Sequence, residues 1–329
     1  MAAGNHNCVR NLKNAVIAFL VPLPSIFFYI TFLTNHHTES PSRLWNWCLR
    51  HPLLLANALF FINVNCVFWL IGTLQSNHWM IDPYWTVIPV MLVHFFANHP
   101  LASNYNWWRS WIVILMTWVW SLRLSHNYFR REKWQWGARE DWRFADMRLQ
   151  YGQNWWWISF FTVYLPQQIF LIGLCLPMYV IHSVNKPLNL WDIVALSICV
   201  AGIIVAYFAD TQLHEFVTRN CKLKQLGEAV VPNLDQGLWR YSRHPNYFGE
   251  QLWWWGLGLF AWNLGYGWSF IGAFVNSLCL GYVTLLVEER MIKQEYRAEA
   301  YRLYQKTTSV WIPWFNSSSS TLETKTKSS

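Results

Sequence analysis

Charged residues are scarce in this chain of 329 residues, and their scarcity argues against a soluble protein. Only 13% of the residues are charged, whereas soluble domains carry about a quarter. Hydrophobic residues make up 54%, and most fall in blocks of about 15–25 residues, the length of a bilayer-crossing helix. The blocks show no polar face with a helical period. The sequence therefore predicts an all-α fold, a polytopic membrane helical bundle.

Paired cysteines are also lacking, which argues against disulfides and cysteine-bound metals. The seven cysteines are scattered without a C-x-x-C pair, and most lie in apolar blocks, so we interpret them as packing residues. The net charge is +8, but the basic residues lie in loops between the apolar blocks. This pattern predicts contact with anionic lipid and no nucleic-acid partner.

About eight apolar segments are predicted to span the membrane. The first follows Arg10 and Lys13 but is too long for a signal peptide, so we expect an uncleaved span. We divide the chain into N-terminal membrane helices (residues 1–80), a second membrane domain (81–315) and a disordered cytosolic tail (316–329). The predicted spans are residues 14–33, 53–74, 84–98, 108–124, 155–181, 191–209, 247–263 and 268–287.

Lysine and arginine concentrate on one side of the predicted spans. They are frequent in residues 125–154, in residues 211–242 and after residue 287, whereas residues 99–106 and 183–189 hold one lysine between them. The distribution predicts that both termini are cytosolic. Lys325 and Lys327 then resemble a dilysine signal for the endoplasmic reticulum membrane. The sole glycosylation sequence, at Asn316, is expected to stay unmodified.

The run LWRYSRHPNYFGE, residues 238–250, is the densest polar stretch beside an apolar block. Pro245 suits the first turn of a helix that opens at about Asn246. Free backbone N–H groups at that helix start, with Arg240 and Arg243 just upstream, predict a phosphate site. Alternatively, the arginines anchor the helix at lipid headgroups and pair with Glu250, which shares a helical face with Asn246.

Three further polar positions have two interpretations each. Asp210, at the end of the sixth predicted span, is either a polar helix stop or an acceptor for a ribose or amide. Arg143, in the EDWR run, lies on a solvated face or contacts phosphate while Trp142 stacks on a base. Asp82 either caps a helix that begins at Pro83 or is buried, in which case a raised pKa would make it a hydrogen-bond donor to a substrate carbonyl.

With these residues in view, the chain resembles the steroid 5-alpha-reductase-like family of membrane enzymes over residues 81–315. The resemblance is strongest to an uncharacterised bacterial and plant branch. The RHP-x-Y-x-G core is also similar to that of isoprenylcysteine carboxyl methyltransferases. The matching features are RHPNYFGE with the W-x-G-L span after it, EDWR, AD-x-Q-L at Asp210, and the EER…Y…Y…WIPW tail.

The resemblance implies an oxidoreductase that binds NADPH from the cytosolic side. It would reduce a carbon–carbon double bond conjugated to a carbonyl in a sterol- or enoyl-type substrate entering from the bilayer. Asp82 falls near the family's catalytic glutamate, and Tyr128 lies one turn from the position of its catalytic tyrosine. The predicted site thus has Asp82 and Tyr128 as catalytic residues, no metal, and Arg143, Asp210, Arg240, Arg243, His244, Asn246, Tyr247 and Glu250 around NADPH.

Two other functions are compatible with the same residues. The first is a membrane methyltransferase that uses S-adenosylmethionine, with an arginine binding the methionine carboxylate. The second is a non-enzymatic lipid-binding relative of the reductases. Two arginines at a helix start favour NADPH, because S-adenosylmethionine carries no phosphate.

Overall fold

A computed structural model describes residues 2–36 and 42–315, and this part of the chain is helical without strands, as predicted. The predicted tail, with Asn316, Lys325 and Lys327, lies outside the described residues. The α-helices are α1 (Ala2–Leu20), α2 (Leu23–Asn35), α3 (Arg43–Arg50), α4 (Pro52–Phe60), α5 (Trp69–Gln75), α6 (Ile81–Asn98), α7 (Trp107–Arg131), α8 (Trp142–Tyr151), α9 (Trp155–Ser159), α10 (Leu165–Ile181), α11 (Leu190–Gln225), α12 (Pro245–Asn263), α13 (Ile271–Ile292) and α14 (Glu295–Thr307). Two π-helical stretches, Phe61–Phe68 and Phe160–Tyr164, join α4 to α5 and α9 to α10.

Five helical stretches of the described chain are long and apolar enough to cross a membrane. Each coincides with a predicted span, which confirms a multi-pass membrane protein, while the total of eight spans stays a prediction. Of the other three predicted spans, residues 84–98, 108–124 and 247–263 fall within α6, α7 and α12. The five stretches are Cys8–Asn35, Pro52–Gln75, Trp142–Ile181, Leu190–Gln225 and Gly267–Ile292.

The chain divides into two compact units. The first comprises Met1–Asp192 and Leu257–Gly272, and the second comprises Ile193–Gly256 and Ala273–Ser329. In the first unit, α6 packs against α7 and α10, and α10 also contacts α4. The packed side chains at its centre are apolar and include Trp79, Val93, Val113, Trp120, Leu171 and Met178.

A buried ion pair between Arg109 and Asp192 also belongs to the first unit. Arg109 Nε donates to Asp192 Oδ1 at 2.6 Å, and Nη2 donates to Oδ2 at 2.9 Å. The remaining guanidinium contacts are the carbonyls of Lys186 and Pro187, both at 3.1 Å. Because both charged groups are buried and hydrogen-bonded, removing one would leave a costly unpaired charge.

In the second unit, small residues allow α11 and α12 to approach closely. A Cβ atom added at Gly202 would lie 2.6 Å from the Gly249 carbonyl oxygen, and one at Gly249 would lie 2.6 Å from the Ala206 backbone nitrogen. A Cβ added at Gly256 would lie 2.7 Å from Cys199 Sγ. Such close helix contacts between small residues are typical of membrane helices, where dispersion and short polar contacts drive association.

Helix α11 is longer than its predicted span. The span was expected to end at residue 209, yet the helix continues to Gln225 and has 36 residues. At 1.5 Å per residue it is about 54 Å long, against about 30 Å for the hydrocarbon core. Asp210 therefore lies inside a helix and does not end it.

Candidate functional site

In the second unit, two of the predicted cofactor residues meet: Asp210 on α11 and Asn246 on α12. The Asn246 side-chain amide donates to Asp210 Oδ1 at 3.2 Å. Asp210 is buried and Asn246 is half-buried. The glycine contacts explain the pairing, because Gly249 follows Asn246 by one turn and Ala206 precedes Asp210 by one turn.

The Asn246 amide has one polar atom that the protein does not use. Its Oδ1 is buried and accepts no hydrogen bond from residues 2–36 or 42–315. An unsatisfied buried acceptor costs about 1–3 kcal/mol and needs an explanation. Asp210 beside it is an acceptor when ionised. The pair therefore suits a ligand that presents N–H or O–H donors.

Arg243, predicted to hold phosphate, is instead buried in an ion pair with Glu288. Its Nε donates to Glu288 Oε1 at 2.7 Å and its Nη2 to Oε2 at 3.2 Å. Its Nη1 donates to the carbonyls of Gln305 at 2.9 Å and Thr308 at 2.6 Å. The protein's own carboxylate thus occupies the place expected for a ligand anion. The carboxylate that pairs with Arg243 is thus Glu288, whereas the alternative interpretation had Glu250 or lipid headgroups in that place.

Glu288 also binds two further side chains, so it joins the RHP run to the C-terminal segment. His244 Nε2 lies 3.0 Å from Glu288 Oε1, and Gln305 Nε2 donates to Oε2 at 2.8 Å. The backbone N–H groups of Arg243 and His244 donate to the carbonyls of Ser309 and Val310 at 2.8 and 3.1 Å. These amides are therefore engaged within the protein. We call Arg243, His244, Glu288, Gln305 and Thr308 the tail clasp.

The other predicted residues of the RHP run have varied surroundings. Arg240 ends a short 3-10 turn, Gly237–Arg240, and is exposed. The Tyr247 ring stacks on the His244 ring, with centroids 5.2 Å apart and planes at 17°. Glu250 is half-buried and lies one turn after Asn246 on the same helical face, as predicted.

In the first unit, Asp82 lies in the first turn of α6, before its apolar stretch and outside the five candidate spans. The helix begins at Ile81 after Met80, so the interpretation of Asp82 as its N-cap is wrong. The carboxylate is half-buried. Desolvation by burial, and next the nearby charge of Asp141, raise its pKa to about 7. A good part of Asp82 is therefore protonated at neutral pH and can donate a hydrogen bond.

Tyr128 lies in the last turn of α7 and is buried. Its hydroxyl is buried and has no hydrogen-bond partner among the described residues. Burial raises the pKa of Tyr128 above its usual range, and the charges of Asp82 and Glu132 raise it further. The phenol therefore stays protonated, near the Asp82 carboxyl.

The guanidinium of Arg143, like that of Arg243, is bound by a carboxylate of the protein. Its Nε and Nη2 donate to the two carboxylate oxygens of Asp141, at 2.9 and 2.7 Å. Asp141 is also the N-cap of α8, since its Oδ1 accepts from the Arg143 backbone N–H at 2.8 Å. The EDWR run is thus a self-bonded helix start, and the phosphate role of Arg143 stays a prediction.

A buried network beside Asp82 had little signal in the sequence. His78 Nδ1 lies 2.8 Å from the Tyr164 hydroxyl, and the His78 backbone N–H donates to Glu140 at 2.7 Å. Arg148 Nη2 contacts both Glu140 oxygens, at 2.7 and 2.6 Å. Burial and the Arg148 charge lower the pKa of His78 to about 4, so its ring is neutral. Only Glu140 had a sequence signal, because it begins the EDWR run, whereas Tyr164 lies inside an apolar block.

Comparison with known proteins places most of the chain in one group. The model of the family described as "Protein of unknown function (DUF1295)" matches residues 68–308. "Uncharacterized protein C594.04c" of Schizosaccharomyces pombe (strain 972 / ATCC 24843) is 25% identical over 288 residues, which cover 80% of each chain. No solved structure matches the chain.

Proposed function

We propose a function from the premise that the chain belongs to the DUF1295 family, a family of steroid 5-alpha-reductase-like proteins. The protein is an NADPH-dependent membrane reductase. It reduces a carbon–carbon double bond conjugated to a carbonyl in an apolar substrate of sterol or enoyl type. The substrate enters from the bilayer, since the spans make this an integral membrane protein.

The observation that carries the proposal is the buried Asn246 Oδ1 beside the Asp210 carboxylate. The nicotinamide end of NADPH bears a carboxamide with two N–H donors and ribose hydroxyls that also donate. An acceptor with no partner among the described residues, next to a carboxylate, fits these groups. In this proposal, Asn246 holds the carboxamide, Asp210 holds a ribose hydroxyl, and Glu250 and Tyr247 complete the surroundings.

Phosphate binding falls to Arg240 within the second unit. Arg243 already donates four hydrogen bonds within the tail clasp, whereas Arg240 is exposed. A guanidinium in water-accessible surroundings can still bind a phosphate bidentately. Arg243 and His244 then act on the site through the position of α12, which they fix by binding the C-terminal segment.

The chemistry requires an acid at the carbonyl oxygen. NADPH, when bound, supplies the hydride for the β-carbon of the enone. Within the first unit, Asp82, with a pKa of about 7, is the candidate acid for this chemistry. The buried Tyr128 hydroxyl is a second donor of the same kind, and burial keeps it protonated.

The location is the endoplasmic reticulum membrane, with both termini in the cytosol. The orientation is supported by the excess of lysine and arginine in residues 125–154 and 211–242. A cytosolic site suits a cofactor that is dissolved in the cytosol.

Thermal unfolding of the detergent-purified protein tests the proposal, because a ligand that binds the folded state raises the unfolding temperature. NADPH should raise it, and S-adenosylmethionine should not. Asn246→Leu and Asp210→Asn should remove most of the NADPH shift, while Asn220→Leu on α11, outside the pair, should keep it. A shift with S-adenosylmethionine alone would favour the methyltransferase, and no shift with either cofactor would favour the lipid-binding relative.

A further inference from the structure

Helix α13 carries a polar stripe although it belongs to a candidate membrane span. Ser277, Thr284 and Glu288 are spaced by seven and four residues and therefore share one helical face, with Gly281 between them. The surrounding stretch, Gly267–Ile292, is apolar enough to cross a bilayer. Polar side chains within a span usually face the protein interior or a bound molecule.

Two of the three stripe residues are satisfied by the C-terminal segment. Glu288 belongs to the tail clasp. Thr284 Oγ1 accepts from Trp311 Nε1 at 3.0 Å. The Trp311 ring lies over Gly281, where an added Cβ would be 3.8 Å from it, an ordinary contact distance. This end of the stripe is therefore explained by packing within the second unit.

The other end of the stripe, at Ser277, does not contact the C-terminal segment in the hydrogen bonds of the described residues. Ser277 Oγ donates to Gln251 Oε1 at 2.7 Å and accepts from Trp255 Nε1 at 3.0 Å. The oxygen of the Gln251 amide therefore has a hydrogen-bond partner in Ser277. Gln251 is only 7% exposed, and its Nε2 has no hydrogen-bond partner among the described residues.

A donor without an acceptor is costly in a buried position. Gln251 is buried within the second unit, so surrounding solvent does not satisfy it. A buried donor without an acceptor is destabilising, because it has lost its hydrogen bonds to water. The amide nitrogen carries two N–H donors. The group that would satisfy them is an oxygen acceptor on a molecule that is otherwise apolar.

We propose that Gln251 is a specificity-determining residue that donates a hydrogen bond to the carbonyl oxygen of a lipid-soluble ligand. The stripe on α13 holds its amide in place through Ser277. That the oxygen is a carbonyl rests on the proposed function, whereas the need for an oxygen acceptor rests on the contacts of Gln251 alone.

A purely structural role for Gln251 predicts the opposite effect on stability. If the amide stabilises the fold, Gln251→Met should lower the unfolding temperature. If the amide instead serves to bind a ligand, methionine, which is similar in size and shape, removes a buried unsatisfied donor. Gln251→Met should then raise the unfolding temperature. Ser277 tolerates the change, because its single hydroxyl proton can turn to the Ala273 carbonyl, 2.8 Å away.

The binding experiment uses two tritium-labelled enones and their hydrocarbon counterparts. The pairs are 4-cholesten-3-one with 4-cholestene and trans-3-nonadecen-2-one with trans-3-nonadecene, measured by scintillation proximity on protein in nanodiscs. The wild type should bind at least one enone about tenfold more tightly than its hydrocarbon, the value of one hydrogen bond. Gln251→Met should bind the two members of that pair equally, and Leu278→Ala, at an exposed position of α13, should behave as the wild type.

Either of two binding results overturns the proposal: no preference for an enone in the wild type, or an unchanged preference in Gln251→Met. A lower unfolding temperature for Gln251→Met also overturns it. Failure of the reductase assignment is distinguishable, because it appears as a missing NADPH shift while the preference for the enone over its hydrocarbon persists.

Discussion

At the scale of single residues, the Asp82 carboxyl is expected to set the pH dependence of catalysis. Its pKa is raised to about 7 by burial first and by Asp141 second. If the protonated form is the acid, the rate is constant at low pH and falls about tenfold per unit above the pKa. Reduction of an enone by the purified protein should therefore show a midpoint near pH 7 in kcat/KM, which reports the groups of the free enzyme.

Asp141 offers a direct test of that assignment. Asp141→Asn removes a charge that raises the pKa of Asp82, yet asparagine remains a good N-cap for α8. The midpoint should move to lower pH. Asp146→Asn, an exposed position on the same helix, should leave it unchanged. An identical midpoint in wild type and Asp141→Asn would show that Asp82 is not the titrating acid.

Asp82 should also affect stability in a direction that does not depend on catalysis. Its folded-state pKa is above the ordinary value of 3.8, so the folded protein holds a proton that the unfolded chain releases. Its contribution to stability is full below about 3.8 and declines as pH rises towards about 7. Asp82→Asn should abolish that decline. Thermal unfolding of both proteins between pH 4 and 8 measures the difference, and parallel curves would contradict the raised pKa.

At the scale of elements, the tail clasp should stabilise the second unit. Glu288→Gln leaves the buried Arg243 without its counter-charge, which typically costs about 3–5 kcal/mol. Glu289→Gln is a matched control, because the neighbouring Glu289 is exposed and pairs with Lys293 one turn on. Glu288→Gln should lower the unfolding temperature and expose residues after 295 to protease. Equal behaviour of the two variants would show that the clasp does not hold the C-terminal segment.

The close contact of α11 with α12 permits a second comparison. Gly249→Ala places a methyl group 2.6–2.8 Å from backbone and side-chain atoms of Gly202 and Ala206, which cannot move independently of their helix. Overpacking of this kind costs about 1–3 kcal/mol, and it should separate Asp210 from Asn246 and reduce the NADPH shift. Gly281→Ala meets only ordinary contacts and should be neutral. A neutral Gly249→Ala would contradict the packing argument.

The helical spans could be predicted from the sequence, whereas the contacts between them could not. Apolar blocks predicted the spans and the all-α class, because hydrophobic length is a local property. Pairings between distant residues were not predictable: Glu288 lies 45 residues from Arg243, and which charge a buried arginine meets depends on tertiary packing. The same applies to Asn246 and Gln251, whose type and spacing were visible while their unsatisfied atoms were not.

At the scale of the whole molecule, each compact unit holds its own share of the predicted residues. Asp82, Tyr128 and Arg143 belong to the first unit, and the RHP run with Asp210 belongs to the second. In each unit, one arginine that was predicted to contact phosphate is bound by the protein's own carboxylate: Arg143 by Asp141 and Arg243 by Glu288. The basic motifs therefore first secure local structure, and ligand binding has to come from the acceptors and donors that the fold leaves unused.

Helix α11 provides a test of the orientation of the chain in the membrane. It is apolar enough to cross the bilayer, with Lys186 before its start and Arg219, Lys222 and Lys224 near its end. Because the basic end is expected to be cytosolic, the native Cys221, which is exposed, should react with a membrane-impermeant maleimide in sealed microsomes.

The opposite end should be protected from the reagent. Asn185→Cys is exposed just before α11 and, in a chain carrying Cys8→Ser and Cys221→Ser, should react only after the microsomes are permeabilised. The chain should also keep its electrophoretic mobility after endoglycosidase treatment, because a cytosolic Asn316 cannot receive a glycan. Labelling of Asn185→Cys in sealed microsomes, or a glycan on Asn316, would reverse the orientation and remove the cytosolic side from which NADPH is proposed to bind.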